Sequence, residues 1–361
     1  MEKVKKATSR SSPYPPTNPY SYSDTEDKLR SERPLETSWL CMFAPWTWMT
    51  VLQLTTATVG VIGNLIVILV VFGRRHKCRP TDTLIGALAV ADFSTSIFMI
   101  PLPHCLRVPP SWLGETFCKI IYPGMLKWIS VDASIYTLAL IPLERYLAIA
   151  YPFQFRHFIT RVHVRYVITG VWLFALLLNV FIASTSMVKD GECTHVYPSQ
   201  TLQLARGLTT FSVELLVPAI IMLITQAMTV IVLHRQGRLR LAEDKTTNSS
   251  KLSSRHHVAK KRVLQMLFIV VVVFIVSWAP AQTTYVAYNL NVLPASFFLS
   301  PLGNCLIVLP FSNSCANPII YTIRNREFRM AIKDLFKARG GSSVGIFSDK
   351  TQPTTIRPQE H

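Results

Sequence analysis

Six polar side chains sit inside long apolar runs that leave them little water: Asn64, Asp92, Ser134, Asn313, Ser314 and Asn317. A carboxylate or amide in such surroundings costs several kcal/mol unless it is partnered, so each is a functional candidate by default. If the four runs that carry them lie side by side, one carboxylate meets hydroxyl and amide oxygens. That makes a small water-filled cavity suited to a hard monovalent cation. A hydrogen-bond network that only packs helices would use the same residue types. Toward the end of the run that carries Ser134, Arg145 follows Glu144, where snorkelling and a local ion pair would hold it quietly. Enzymatic chemistry has no comparable foothold. No nucleophile, base and orienting group come together, and no histidine pair has metal-ligand spacing within a run.

The elements that must position these groups are apolar helices. The 361 residues are 50% hydrophobic and only 16% charged, with a mean hydropathy of +0.31, whereas soluble domains carry about 25% charged residues. Seven apolar runs follow one another: Trp46–Phe72, Thr81–Pro103, Phe117–Ala150, Val164–Met187, Leu208–Leu233, Lys261–Tyr288 and Ala295–Ile323. Each is long enough to cross a bilayer as a helix of about 20 residues. Their internal prolines, among them Pro142, Pro218, Pro280, Pro310 and Pro318, break soluble helices but are tolerated in membrane bundles. The predicted fold is an all-α membrane protein, a seven-transmembrane helix bundle with a short C-terminal amphipathic helix.

A net charge of +17 raises the question of nucleic acid, but the basic residues crowd short loops (Arg74 to Lys77, Arg156-His157, Lys260 to Arg262). Positive-inside orientation explains that better than a nucleic-acid stripe. With the Arg74 cluster in the cytosol, 152–160, 234–260 and the C-terminal tail are cytosolic and the N-terminal tail is outside. Asn248-Ser249-Ser250 is then on the wrong side for glycosylation. Of seven cysteines, Cys118 and Cys193 are placed on the non-cytosolic side, so one disulfide is expected and the other thiols are expected to be buried and inert. Phe328, Ile332, Leu335 and Phe336 recur at helical spacing among Arg and Lys, the pattern of a helix lying on the inner leaflet. The resulting layout is 1–44 a disordered extracellular tail, 45–323 the bundle, 324–338 the amphipathic helix and 339–361 a disordered cytoplasmic tail. The N-terminal stretch lacks the order of a cleavable leader, so the first apolar helix is expected to direct insertion.

Gly63-Asn64, Leu88-Ala89-Val90-Ala91-Asp92, Glu144-Arg145-Tyr146, Trp172, Pro218, Phe274 with Ser277-Trp278-Ala279-Pro280, and Asn317-Pro318-Ile319-Ile320-Tyr321 occur in this order, one group per apolar run. In this the chain resembles rhodopsin-like, G-protein-coupled receptors over about residues 46–337. The resemblance implies an allosteric sodium site at Asp92, Ser134, Asn313 and Ser314. It implies a connector of Pro218, Ile135 and Phe274 below Trp278, and a switch in which Arg145 is freed when α-helix six swings outward at Pro280. Tyr146, Asn317, Pro318 and Tyr321 belong to the same switch. Four departures stand out: Gln226 where a tyrosine is usual, Lys260 where an acid often faces Arg145, no proline after Trp172, and a Cys118 to Arg145 interval about two residues longer than usual. With no acid opposite Arg145, raised basal signalling is expected.

The same resemblance places Lys127 where amine receptors carry an aspartate and Phe311 where opsins carry the retinal lysine, so neither an amine nor retinal is expected. The remaining lining would be Lys127, Glu214, Gln282 and Tyr285, a mixed pocket able to hold a peptide end. Lys127 would prefer an acidic group or would pair internally with Glu214. Glu192 to Pro198 looks like the second extracellular loop of neuropeptide receptors, galanin-like ones among them. The expected agonist is a peptide, with a carboxylate lipid mediator as runner-up. The expected partners are the bilayer, a heterotrimeric G protein and, through Ser342, Ser343, Ser348, Thr351, Thr354 and Thr355, arrestin. No cofactor is expected beyond the allosteric sodium ion. A transporter would show inverted repeats or glycine-broken spans, and neither is found.

Overall fold

The computed structural model describes residues 38–73, 80–243, 250–324 and 326–337. The Arg74 to Arg79 cluster, Asn248, the first 37 residues and the C-terminal phosphorylation candidates lie outside the described residues. The main helices are α1 (Trp48–Phe72), α2 (Pro80–Phe98), α3 (Met125–Ala150) and α4 (Arg161–Thr185). The continuous run Gln200–Phe211, Ser212–Leu216 and Val217–Glu243 forms α5, and Ser250–Asn289 forms α6. Pro301–Val308, Leu309–Phe311 and Ser312–Arg324 together make α7, and Arg326–Lys337 is α8.

Six of these are long and apolar enough to cross a membrane. Besides the 12-residue α8, the exception is α2, which carries Thr81, Asp82, Thr83, Asp92, Ser94, Thr95 and Ser96 along its 19 residues. It packs against α1, α3, α4 and α7, so it meets protein where the others meet lipid and needs less apolar surface. Close approach to α1 depends on Gly60, where an added methyl would collide with Ser96 Oγ. The shared core includes Ile85, Leu88, Ile135, Leu138, Met222 and Phe274, all at most 1% exposed.

Helix α3 explains the long interval to Cys118. A short helix (Trp112–Thr116) runs into a π turn (Phe117–Ile121), and Gly124 breaks the path at φ 66°, a left-handed conformation that glycine adopts without a Cβ penalty. The extra residues are absorbed above Met125, so counting back from Arg145 to Lys127 follows uninterrupted helix. A second π turn, Ser212–Leu216, lies just before Pro218, whose ring would otherwise press on the Glu214 carbonyl four residues earlier.

The end of the bundle that carries the strands departs from the sequence expectation. Strand β1 (Leu40–Met42) pairs antiparallel with β2 (His104–Arg107), and β3 (Ser186–Lys189) pairs with β4 (Glu192–His195). Among the described residues there are two disulfides, not one: Cys118–Cys193 as expected, and Cys41–Cys105, which ties β1 to β2. Residues 38–44 are therefore ordered wall rather than loose tail. The second predicted span is too long for the same reason, since α2 stops at Phe98 and the chain then enters β2. Val108 N–H donates to Gly191 O at 2.8 Å, joining the two hairpins. Nor are the remaining thiols uniformly buried, because Cys305 is exposed and Cys315 half-buried.

At the other end α8 folds back on the bundle. Phe328 is 1% exposed and packs edge-on against Tyr321 at 6.1 Å, while Arg329 Nη1 donates to the Thr322 and Ile323 carbonyls. Those are orphan acceptors at the end of α7, so a basic residue there both caps and docks.

Candidate functional site

The polar core assembles at one depth. Asp92 Oδ1 accepts from Ser134 Oγ at 2.5 Å and Oδ2 accepts from Asn317 Nδ2 at 2.9 Å, joining α2 to α3 and α7. Asn64 Nδ2 donates to the Gly60 and Ser314 carbonyls, each at 2.9 Å, which closes the ring onto α1. Ser314 also lies within hydrogen-bonding reach of Asp92. Asp92 is fully buried, and the Asn313 and Asn317 side-chain oxygens are buried without a hydrogen-bond partner. Unmet oxygens beside a carboxylate are the donor set that a hard monovalent cation takes. Asp92, Ser134 and Asn317 are thus joined directly and Ser314 enters through its carbonyl bond to Asn64, while Asn313 is buried in the same helix, four residues before Asn317.

One face of α3 carries the connector. Ile135 and Phe274 belong to the same buried cluster, and the Phe274 and Trp278 ring centroids are 6.3 Å apart. Pro218 is buried beside the π turn of α5, whereas Pro280 is exposed on the outer side of α6, where a missing N–H weakens the ladder. Pro318 and Tyr321 are buried in α7.

Toward the C-terminal end of α3 Arg145 Nε donates to Glu144 Oε2 at 2.7 Å and Nη2 to Oε1 at 3.2 Å. Thr81 Oγ1 also donates to Glu144 Oε1, at 2.7 Å, so the acid is gripped from α2 as well. Tyr146 stacks edge-on with Tyr151 at 6.1 Å. Gln226 is buried in α5, and its Nε2 donates to the Leu264 carbonyl of α6 at 2.8 Å. The position where a tyrosine was expected thus carries a tie between α5 and α6. The Lys260 side chain lies outside the described residues.

The half of the bundle nearer the strands holds further charged groups. Lys127 Nζ sits 5.3 Å from the Trp128 ring centroid and 5.1 Å from that of Phe311, a cation over two aromatic faces. No ion pair joins it to Glu214 among the described residues. Glu214 is instead turned by the π turn onto Gln282, whose Nε2 donates to Oε2 at 2.6 Å. Asp132, which the sequence reading passed over, is 3% exposed and accepts from Asn179 Nδ2 of α4 at 2.7 Å. An acid in mid-span is the signal that should have found it.

Above these lie Tyr285 and the hairpin residues His195 and Tyr197. His195 Nδ1 is 2.9 Å from Ser186 Oγ, and its ring lies 5.7 Å from that of Tyr122. Burial, with a smaller contribution from the Arg206 charge, lowers its pKa to about 4. Tyr197 is pushed up to about 12, chiefly by burial and then by Tyr285.

Against known proteins, the profile of the 7 transmembrane receptor (rhodopsin family) matches residues 63–321. The allatostatin-A receptor of Bombyx mori is 28% identical over 305 residues, covering 82% of this chain and 81% of its own length. Galanin receptor type 1 of Rattus norvegicus is 29% identical over 292 residues, covering 78% and 79%. Neuropeptide Y receptor type 6 of Oryctolagus cuniculus is 28% identical over 305 residues, covering 76% of each chain.

Proposed function

Because this chain belongs to the rhodopsin family of seven-transmembrane receptors, we propose that it is a plasma-membrane receptor whose extracellular peptide ligand drives nucleotide exchange on a heterotrimeric G protein. The N-terminus is outside and the C-terminus in the cytosol, the orientation that puts the loop basic residues inside. The observation that carries the reading is one helix with two ends. Through α3, a pocket containing Lys127 is rigidly joined to Arg145, which waits in the grip of Glu144 and Thr81.

Ligand binding works by population shift. A peptide that prefers the packing in which α6 has moved outward about Pro280 raises the share of that packing and frees Arg145 for the G protein's C-terminal helix. No bond is made or broken by the receptor. Sodium at Asp92, Ser134, Asn313 and Ser314 would favour the collapsed packing, because only there do α2, α3 and α7 present their oxygens together. Arrestin would then read phosphates on the C-terminal tail. The peptide class rests on the names of the relatives. The runner-up is a lipid mediator with a carboxylate, which Lys127 favours.

A peptide library read by calcium and cAMP in transfected cells tests the proposal. A peptide should evoke a response that Arg145→Ala abolishes at unchanged surface expression. Preserved signalling in that variant would contradict the assignment, and a response to carboxylate lipids alone would move it to the runner-up.

A further inference from the structure

Two buried carboxylates sit on neighbouring helices in the extracellular half of the bundle, Asp132 one turn from Tyr136 on α3 and Glu214 next to Val213 on α5, whose carbonyl accepts from Tyr136 Oη at 2.9 Å. Asp132 on α3 gives one oxygen to Asn179, and its other oxygen, Oδ1, meets no hydrogen-bond partner. Glu214 on α5 accepts from Gln282, whose own amide oxygen is likewise buried and unpartnered. Asp132, Glu214 and Gln282 are 3%, 9% and 5% exposed, and the Asp132 charge is felt at Glu214. One cation lies in the field of both acids: Arg206, half-buried, its guanidinium 5.6 Å from the Phe181 ring centroid. Among the described residues it makes no ion pair with either acid.

The cluster therefore has a surplus of oxygen acceptors. Water could satisfy the oxygens but not a charge on either acid, and two acids buried together, with only the half-buried Arg206 in their field, must shed charge as a proton or meet a cation. A guanidinium or ammonium would answer both needs, since it brings three to five donors and a positive charge together. The π turn Ser212–Leu216 is what rotates Glu214 inward, and such turns gather at functional sites.

We propose that Asp132, Glu214 and the Gln282 amide oxygen form a subsite for a cationic group of the ligand. The inference rests on the peptide-receptor reading and narrows it. Lys127 precedes Asp132 by five residues on the same helix, about 7.5 Å of rise, and would take an acid. The ligand segment that enters the pocket is therefore amphoteric, with a basic group seated deeper than an acidic one. Entry of the cation also competes for Glu214 against Gln282, which loosens one contact between α5 and α6.

The test uses the purified full-length receptor in lipid nanodiscs, with agmatine, a guanidinium and an ammonium without an acid, as probe. Its thermal unfolding temperature should rise with agmatine and not with potassium chloride at equal ionic strength. Asp132→Asn and Glu214→Gln should each raise the half-saturating concentration about tenfold or more, while Asp132→Glu, which keeps the charge, keeps the response. Absence of any shift in the wild type up to about 50 mM, or an equal shift in the double variant, overturns the subsite. The outcome is separable from that of the receptor reading. A peptide-evoked, Arg145-dependent response with no agmatine shift overturns the subsite alone, and a carboxylate-sensitive agmatine shift without any peptide response overturns the peptide reading alone.

Discussion

Replacing Gln226 with leucine should raise ligand-independent signalling. In the closed packing the Gln226 amide ties α5 to the Leu264 carbonyl of α6 at 2.8 Å, in a buried setting. Leu264 O is also an ordinary helix acceptor, so removing the amide leaves no orphan, and the loss is the net value of one buried hydrogen bond, about 1 kcal/mol. If the tie is made only while α6 is closed, that energy moves wholly into the equilibrium between packings. Dividing about 1 kcal/mol by RT of about 0.59 kcal/mol gives roughly a fivefold larger open fraction. The sequence alone, lacking an acid opposite Arg145, leads one to expect raised basal activity. The Gln226 tie is a restraint that works against it, and the variant isolates how much. The assay is nucleotide exchange on a co-expressed G protein without agonist, across a series of matched surface expression levels, with Gln226→Met as a second apolar variant. Basal exchange equal to or below wild type in both variants, at equal expression, would refute the reasoning.

Three further outcomes are expected. Cys41→Ser should lower the receptor's thermal stability, because the Cys41–Cys105 bridge spans a separation of 64 residues. A chain-entropy estimate for a loop of that size is at most about 4 kcal/mol, reduced here by helices already held in the membrane; unchanged unfolding temperature would show that β1 is held by its strand pairing alone. For His195, a pKa lowered to about 4 from an ordinary 6.5 means that the unfolded chain binds the proton first. Its share of stability is therefore intact above about pH 6.5 and is lost as pH falls toward 4, by about 3 kcal/mol in all. His195→Gln should flatten unfolding temperature against pH in that window, and identical slopes would remove His195 as the cause. Asp92→Asn should abolish the sodium dependence of basal exchange while leaving surface expression intact, and a sodium response equal to wild type would dismantle the proposed ion site.

The legible parts of this molecule were those where membrane insertion leaves few alternatives. Apolar length gave the helices, and the cost of burying Asp92, Ser134 and Asn317 without partners foretold the bonds that join them. The same rule would have exposed Asp132 as readily, but attention to family positions drew the eye past it to Lys127. The Cys41–Cys105 bridge was hidden by a different effect. A polar, proline-rich stretch reads as disorder, yet three residues of strand and one covalent bond suffice to order its last part, and neither leaves a periodic trace. Helix ends were equally illegible, since α6 begins at Ser250 while its apolar signal begins near Lys261.

The two amide ties between α5 and α6 give the charged pocket a route to the cytosolic face. Gln282 holds Glu214 above Pro218 and Pro280, and Gln226 holds Leu264 below them. Between the two lie Phe274 and Trp278, buried to 0% and 3%, which can repack but not shear freely in a close-packed core. A cation that draws Glu214 away from Gln282 removes the upper tie, leaving α6 joined to α5, among the described residues, by packing and the lower hydrogen bond alone. At about 1 kcal/mol each, the two ties together lie within the range over which a ligand of modest differential affinity can shift the population. The order matters. Loss of the lower tie alone should raise basal output while preserving the ligand's grip on Glu214, whereas loss of the upper tie alone should raise the ligand's apparent affinity, because its cation no longer competes with an amide for the same carboxylate.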